Sequence, residues 1–459
     1  AKAMTKGLLE HPVPGMFEPD SVFQALCGDA DNALWLDDHG DRGSGVSYLA
    51  TARACDLSLS WQGQVRSAHQ TMVGEASAGD TKVLSYPLGI HVVVPYGFAQ
   101  ETLGVEVAQA QDERPQALVV ERLVAIDHAT GQLTLVAWGA AWEGELGLWK
   151  ENVLTALAGL GSRDSLSAQQ ENLRVTPEGT PRVVWRKSAQ QYRAMIADAQ
   201  EAIARGDAYQ LCLTTQMSSE DALDPLALHR MMRKSNPTHH QAYVRMGDLT
   251  IVSASPETFV DISPSGMVTT RPIKGTRPRG ATFEEDTFLA EELIASDKER
   301  AENLMIVDLM RNDLSRVCEV GSIAVPELLV VESYARVHQL VSTVTGQLLP
   351  GLDPLDVLTS AFPAGSMTGA PKRRAVELLN QWEGGPRGYY AGTYGVWRVD
   401  NSATFAMTIR AVVATPEGFS LGVGGGITAL SDPASEISEV GIKAQAFLEA
   451  LGVDQVEYS

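Results

Sequence analysis

Cysteine is scarce in this chain, and the four that occur, Cys27, Cys55, Cys212 and Cys318, form no Cys-x-x-Cys pair and have no histidine at a metal-like interval. That argues against a thiolate zinc site and a disulfide-stapled scaffold, and leaves buried free thiols in a reducing compartment as the expectation. Long apolar runs are also missing: none approaches the roughly 20 residues of a membrane span. The first residues, Ala1-Lys-Ala-Met-Thr-Lys, lack the apolar core of a signal peptide. Basic charge is short as well. Against 57 Asp and Glu stand 36 Lys and Arg, a net charge of −21. Nucleic acid and anionic membrane both need a basic face, so neither is an expected partner. No internal repeat is evident. These absences point to a cytoplasmic protein.

What is present suits an ordered globular chain: 459 residues, 44% hydrophobic, can bury one large core or two medium ones. Residues 1–160 read as a β-rich region that packs on the core. Strands are expected at 32–36, 46–51, 57–61, 91–94, 117–126 and 133–138, with turns such as Asp127-His-Ala-Thr-Gly131 between them and a short helix over about 143–160. Residues 161–181, rich in Ser, Gln, Gly and Pro, read as a connector. Residues 182–459 hold the chemistry. Apolar and small residues recur at helical spacing over 188–205, ahead of Gly206, and a strand follows over 209–217. Further helices are expected at 297–316, 372–382 and 434–451, and paired strands at 389–399 and 404–413.

The stretch Arg271-Pro-Ile-Lys274-Gly-Thr276-Arg277-Pro-Arg279 follows strand, Pro-marked turn and strand, and reads as a loop. Lys274 beside Gly275 sits where a backbone bend presents an amine into a cleft. An amine attacks carbon only when neutral, so a nucleophilic Lys274 needs its pKa lowered by desolvation or by cations such as Arg271, Arg277 and Arg279. A solvated lysine that helps to hold an anion is the plainer alternative. Two glutamate pairs share a three-residue spacing on helices: Glu299 with Glu302, and Glu436 with Glu439. Either pair alone suits a solvated acidic face, and the second also suits a first helical turn. Converging, the two would build an oxygen-rich Mg²⁺ site. The Gly-rich stretch from Phe362 to Lys372 is either a tight connector or an anion site at a helix start.

Four motifs in order, the lysine stretch, Asp297-Lys-Glu-Arg-Ala-Glu302-Asn-Leu-Met-Ile-Val-Asp-Leu-Met-Arg-Asn-Asp313, Ala361-Phe-Pro-Ala-Gly-Ser-Met-Thr-Gly-Ala-Pro-Lys372 and Gly424-Gly-Gly-Ile…Asp432-Pro-Ala-Ser-Glu436-Ile-Ser-Glu439, resemble the chorismate-utilising enzymes. That family includes anthranilate synthase component I, aminodeoxychorismate synthase component I, isochorismate synthase and salicylate synthase. The resemblance runs from about residue 191 onward. Pro-Ile-Lys-Gly-Thr, with Lys274 where anthranilate synthases usually carry alanine, is most similar to the aminodeoxychorismate synthases. The segment Val94-Pro-Tyr-Gly-Phe-Ala-Gln-Glu-Thr-Leu-Gly departs from the family's Gly-Tyr-x-Gly-Tyr-Glu, so no tryptophan site is assigned to the N-terminal half.

The resemblance implies an α+β fold of stacked antiparallel β-sheets flanked by helices, with the active site between them. It implies Lys274 as nucleophile, Glu257 as general acid for the C4 hydroxyl, and Thr276 beside them. Gln210, where water-adding relatives carry lysine, would leave water unactivated. Ser366, Thr368, Tyr390, Arg410, Gly424, Gly425, Gly426 and Lys443 would bind chorismate, Tyr390 and Arg410 at the enolpyruvyl carboxylate. Lys443 is equally an i,i+4 partner of Glu439. Glu302 and Glu439, with Glu299 and Glu436 close behind, would hold Mg²⁺. The activity implied is conversion of chorismate and ammonia to 4-amino-4-deoxychorismate, for 4-aminobenzoate and folate. Because no cysteine lies in a Gly-x-Cys-x-Gly elbow, a glutamine amidotransferase partner is expected to supply the ammonia. Anthranilate synthase component I, with Lys274 incidental, and a silent chorismate-binding regulatory subunit are the alternatives.

Overall fold

The computed structural model describes residues 5–39, 44–74, 85–160, 174–235, 237–334, 336–453 and 458. Among these, two antiparallel sheets, one of twelve strands and one of ten, lie with helices around them. This is the α+β architecture implied by the motifs. The larger sheet runs from Gly7–Val13 through Leu133–Gly139, Arg122–Asp127, Gly45–Thr51 and Asn32–His39. It continues through His240–Met246, Leu249–Ser255, Ala411–Thr415, Gly418–Ile427 and Gln210–Ser219 to Gly369–Ala370, with Val184–Trp185 paired to Gln210–Ser219 at one side. The smaller sheet starts at the edge strand Ile273–Pro278 and includes Thr258–Ile262, Ala403–Met407, Thr393–Arg398 and Gly89–Val94. Both sheets therefore use strands from both ends of the chain: Asn32–His39 pairs with His240–Met246, and Gly89–Val94 with Thr393–Arg398.

Strand alternation divides the apolar residues between two cores. Ala242 and Val244 face the smaller sheet and pack in one cluster with Val92, Val94, Phe405 and Met407. Tyr243 faces the other way, with Trp35, Tyr192, Leu378 and Phe447 from strands and helices on the outer side. The helix Ala189–Ala204 starts at a capping box, Ser188 with Gln191, which satisfies two otherwise orphaned N–H groups. Gly206, at φ +82°, closes the turn beyond its end.

Several local expectations change. The run 117–126 is not one strand: Gln116–Val120 belongs to the smaller sheet and Arg122–Asp127 to the larger, with the break at Glu121. The run 404–413 divides likewise into Ala403–Met407 and Ala411–Thr415. Residues 57–61 form no strand, and a helix, Trp61–Val73, begins there with Trp61, Val65 and Met72 buried. The lysine stretch is not a loop but the edge strand Ile273–Pro278. Of the connector 161–181, residues 161–173 lie outside the described residues. Cys27, Cys212 and Cys318 are buried free thiols, while Cys55 is half-buried. Among the described residues no helix is long and apolar enough to cross a membrane.

Candidate active site

The site forms where two chain segments cross from sheet to sheet. Leu249–Ser255 leaves the larger sheet and Thr258–Ile262 enters the smaller, with Pro256 and Glu257 between them. Ala403–Met407 and Ala411–Thr415 make the reverse crossing through Thr408, Ile409 and Arg410. The two crossings clasp each other. Ala254 N–H donates to the Arg410 carbonyl at 3.0 Å, Met407 N–H to the Glu257 carbonyl at 3.2 Å, and the Ser253 hydroxyl to the Ile409 carbonyl at 3.2 Å. Arg410 takes a left-handed φ of 47°, a conformation that costs a non-glycine residue about 1 kcal/mol or more and persists only where its surroundings impose it. Glu257 is thus placed in a break between strands rather than on one, and it is buried, 8% exposed. Burial pushes its carboxyl up to about 7, against the pull of Lys274, of hydrogen bonds from Ile273 and Ser366, and of Arg410.

Both crossings open into a cavity of about 380 Å³. Lys274 and Thr276 reach it from the edge strand, whose pairing with Val337–Gln347 is irregular between Ile273 and Thr276. The Lys274 amine donates to the Ser366 carbonyl at 3.4 Å. The neighbouring arginines do not depress its pKa, because each is paired elsewhere: Arg271 with Glu332, Arg277 with Glu292 and Glu299, Arg279 with Asp286. Burial by itself lowers the ammonium, but the Cys212 thiol and the carboxylates of Glu302, Glu257 and Glu439 outweigh it, so the Lys274 pKa is raised. That reverses the depression expected from the sequence.

The four glutamates of the two helical pairs line the same cavity. Three already have basic partners: Glu299 with Arg277 at 3.3 Å, Glu436 with Lys298 at 2.9 Å and Glu439 with Lys443 at 2.6 Å. Glu302 differs. It is 6% exposed, and its Oε1 has no hydrogen-bond partner. Burial pushes its carboxyl to about 7, while Lys274 and Lys298 pull it down and Glu299 and Glu436 add to the rise. Among the described residues no group of three or more acidic, histidine or cysteine side chains is drawn together as a complete ion cage. An orphaned buried carboxylate oxygen among further carboxylates nonetheless fits a hard divalent cation that keeps water or substrate oxygens as its remaining ligands.

Glycine keeps this wall open. A Cβ at Gly425 would stand 3.3 Å from Glu436 Oε2 and 3.9 Å from Glu439 Oε1, and one at Gly426 would stand 3.7 Å from Glu302 Oε2 and 2.6 Å from Gln210 Nε2. At Gly424 it would run into the Leu213 carbonyl at 2.1 Å. Gln210 is buried behind the strip, its Oε1 without a partner. Tyr390, its ring packed on Gly422, and Ser366 are also in the wall. Thr368 is not: its buried hydroxyl donates to the Ala364 carbonyl at 3.0 Å, bracing the loop from within. The divergent segment after Val94 buttresses that same loop, with Phe98 against Phe362 at 5.4 Å and the Thr102 hydroxyl on the Phe362 carbonyl at 2.8 Å.

A family profile described as chorismate binding enzyme matches residues 32–449. The chain belongs to the chorismate binding enzymes. Similar members include the aminodeoxychorismate synthase of Streptomyces pristinaespiralis, 33% identical over 461 residues, covering 95% of this chain and 64% of that protein. The anthranilate synthase component 1 of Thermus thermophilus is 42% identical over 264 residues, 58% of this chain and 57% of that one. This chain therefore spans somewhat less than two thirds of the length of its Streptomyces relative. The crystal structure of anthranilate synthase component I from Streptococcus pneumoniae shares the fold, with a TM-score of 0.72 at 24% identity, over 97% of this chain and 92% of that one.

In this chorismate binding enzyme some pocket residues escaped the sequence reading. Lys298 and Cys212 both line the cavity. Lys298 lies inside a quoted motif, one residue before Glu299, where a lysine in an acidic helix start reads as a solvated side chain. A second cavity of about 380 Å³ opens between the sheets among Leu36, Asp37, His240, Tyr394 and Arg398. It draws on the N-terminal region, whose alternating strand pattern carries no chemical signature.

Proposed function

We propose that this chain is the chorismate-aminating component of an aminodeoxychorismate synthase, forming 4-amino-4-deoxychorismate from chorismate and ammonia. The observation that carries the proposal is the shared cavity of Lys274 and Glu257, with Glu257 pushed up to about 7 and so able to carry a proton near neutrality. The name of the Streptomyces relative supports it.

Chorismate lies with its enolpyruvyl carboxylate on Arg410 and Tyr390 and its ring carboxylate toward Lys443. Arginine suits the first task because its planar fork meets a carboxylate bidentately. Mg²⁺, held by Glu302 and Glu439 with Glu299 and Glu436 close behind, would supply positive charge for a substrate carboxylate in a wall otherwise rich in glutamate. Lys274 first gives its proton to water in the cavity, a loss that its burial and a protonated Glu257 favour. The neutral amine attacks ring carbon 2. The ring double bond shifts, and the C4 hydroxyl leaves as water with the proton of Glu257. Ammonia then attacks carbon 4, the double bond shifts back, and Lys274 departs from carbon 2 as a free amine. Glu257 recovers its proton from the new C4 ammonium. Two easier displacements replace one difficult one, and the enolpyruvyl group is retained. A glutamine amidotransferase partner delivers the ammonia.

Product analysis by chromatography and mass spectrometry tests this, with purified protein, chorismate, Mg²⁺ and ammonium. The expected product keeps its enolpyruvyl group and yields 4-aminobenzoate only after a lyase is added. Anthranilate with released pyruvate would assign the chain to the reaction named for the Thermus relative instead. No turnover, even with an amidotransferase supplied, would leave a chorismate-binding role alone.

A further inference from the structure

Lys298 and Lys443 face the same carboxylate cluster but are held differently. Lys443 Nζ bonds both Glu439 Oε1, at 2.6 Å, and the Gly424 carbonyl, at 2.8 Å, so it keeps an anchor if Glu439 turns away. The ammonium of Lys298 reaches Glu436 Oε1 at 2.9 Å. Its side chain is 35% exposed against 3% for Glu436, so it has an open route to water whereas the carboxylate has none. Glu436 Oε2 borders the space in front of Gly425, and Glu302 Oε2 that in front of Gly426, where Oε1 of Glu302 is unpartnered. A cation entering this cluster meets Lys298 as a like charge already in place.

We infer that Lys298 is a displaceable internal counter-ion: it neutralises Glu436 while no divalent ion is bound, and it swings into solvent when one binds. The inference rests on the Mg²⁺ assignment above and concerns how tightly that site takes its ion. A fixed positive charge within a few ångströms of a dication opposes its binding even after screening, and a mobile one opposes it by the pairing it must give up. Removing the charge therefore tightens binding of the ion by about ten-fold, the equivalent of 1.4 kcal/mol. The cation adds to the charge of the cluster only as the lysine departs, which keeps Glu436 paired in the resting protein and avoids an uncompensated buried carboxylate.

Mn²⁺ titration of the full chain, with free ion followed by electron paramagnetic resonance, tests the inference apart from turnover. Lys298→Met and, as a second neutral form, Lys298→Gln are expected to bind Mn²⁺ about ten-fold more tightly than the parent. Lys298→Arg, which keeps the charge, stays near the parent value. Reductive methylation read by mass spectrometry gives the complementary signal: saturating Mg²⁺ raises modification of Lys298 and leaves that of Lys443 nearly unchanged. Equal Mn²⁺ affinities for parent and both neutral variants would overturn the inference while leaving the metal site standing. Absence of Mn²⁺ binding to parent and variants alike, with and without chorismate, would instead remove the metal assignment and this inference with it.

Discussion

The guanidinium of Arg387 forms a two-pronged ion pair with Glu383, Nη2 to Oε1 at 2.7 Å and Nε to Oε2 at 2.9 Å, and both residues are only 4% exposed. The same guanidinium donates to the carbonyls of Met367, at 2.6 Å, and Cys212, at 2.9 Å, and lies 4.3 Å from the centre of the Tyr96 ring. Met367 and Cys212 both line the cavity that holds Lys274 and Glu257. This buried pair, between the last residue of the helix Lys372–Glu383 and Arg387 just beyond its end, thus fixes the Gly-rich loop against the strand Gln210–Ser219. Breaking it leaves the buried Glu383 carboxylate without its cation, held only by the Thr214 N–H at 3.0 Å, so Arg387→Met is expected to cost roughly 3–5 kcal/mol, while the double replacement of Arg387 and Glu383 by methionine recovers part of that loss. Urea unfolding of the parent and the two variants measures it. A single variant as stable as the parent would show that the pair is not needed.

Glu257→Gln keeps shape but cannot donate the proton. Its kcat should fall by roughly 10²–10⁴-fold. In the parent, the protonated form is lost as pH rises through about 7, so kcat/KM should carry a descending limb there. Steady-state rates from pH 5.5 to 9 in the two proteins check this. Persistence of the same limb in the variant would assign it to another group.

Glu302 is raised to about 7 in the folded state, chiefly by burial. The native chain therefore holds a proton that the unfolded chain releases near the ordinary glutamate range. The associated stability is fully present below that range and is lost as pH rises toward 7. Glu302→Gln, which cannot ionise, should melt close to the parent at pH 4.5 and increasingly above it up to pH 7 to 8, in metal-free buffer. Thermal melts at five pH values decide the point. A constant difference across the range would contradict it.

Gly275 holds φ at +103°, and a Cβ there would lie 2.8 Å from Leu293 Cδ1 and 3.1 Å from Glu299 Cβ. Gly275→Ala therefore strains the backbone next to Lys274 and pushes on both flanking helices, at a cost of about 1–3 kcal/mol. Turnover should drop more than chorismate binding does, because the amine is shifted while the carboxylate contacts remain. Comparing kcat with the chorismate dissociation constant separates the two effects. Equal losses in both would mean that the whole wall had moved.

Much of the site was legible in residue order. Lys274, Thr276, Glu299, Glu302, Glu436, Glu439, Arg410 and Lys443 all line one cavity, although they come from widely separated stretches of the chain. Thr368 stands outside the cavity lining, its hydroxyl on the Ala364 carbonyl; a hydroxyl that braces its own loop looks the same in sequence as one that faces a ligand. The arginines around Lys274 misled for a related reason. Nearness along the chain says nothing about which acid each will meet, and Glu332, Glu292 and Asp286 claimed them.

By itself, the sequence determined the long helices and the side-chain chemistry available to the cavity, but not every shorter element. The helices expected at 188–205, 297–316 and 434–451 are found at Ala189–Ala204, Asp297–Ser315 and Pro433–Ala450, and the motifs supplied the acidic and basic side chains that the cavity gathers. Local patterns suffice there because periodicity depends only on neighbours a few positions apart. The tertiary structure alone decided where the chain changes sheets, and so where Glu257 and Arg410 stand. A strand alternates in the same way whichever sheet it joins, and its partner is chosen by packing. It also decided who neutralises whom: Lys298 and Glu436 lie 138 residues apart, and only folding brings an ammonium and a buried carboxylate within reach. The raised pKa values of Glu257, Glu302 and Lys274 belong to the same class, because desolvation and charge proximity exist only once the cavity has formed.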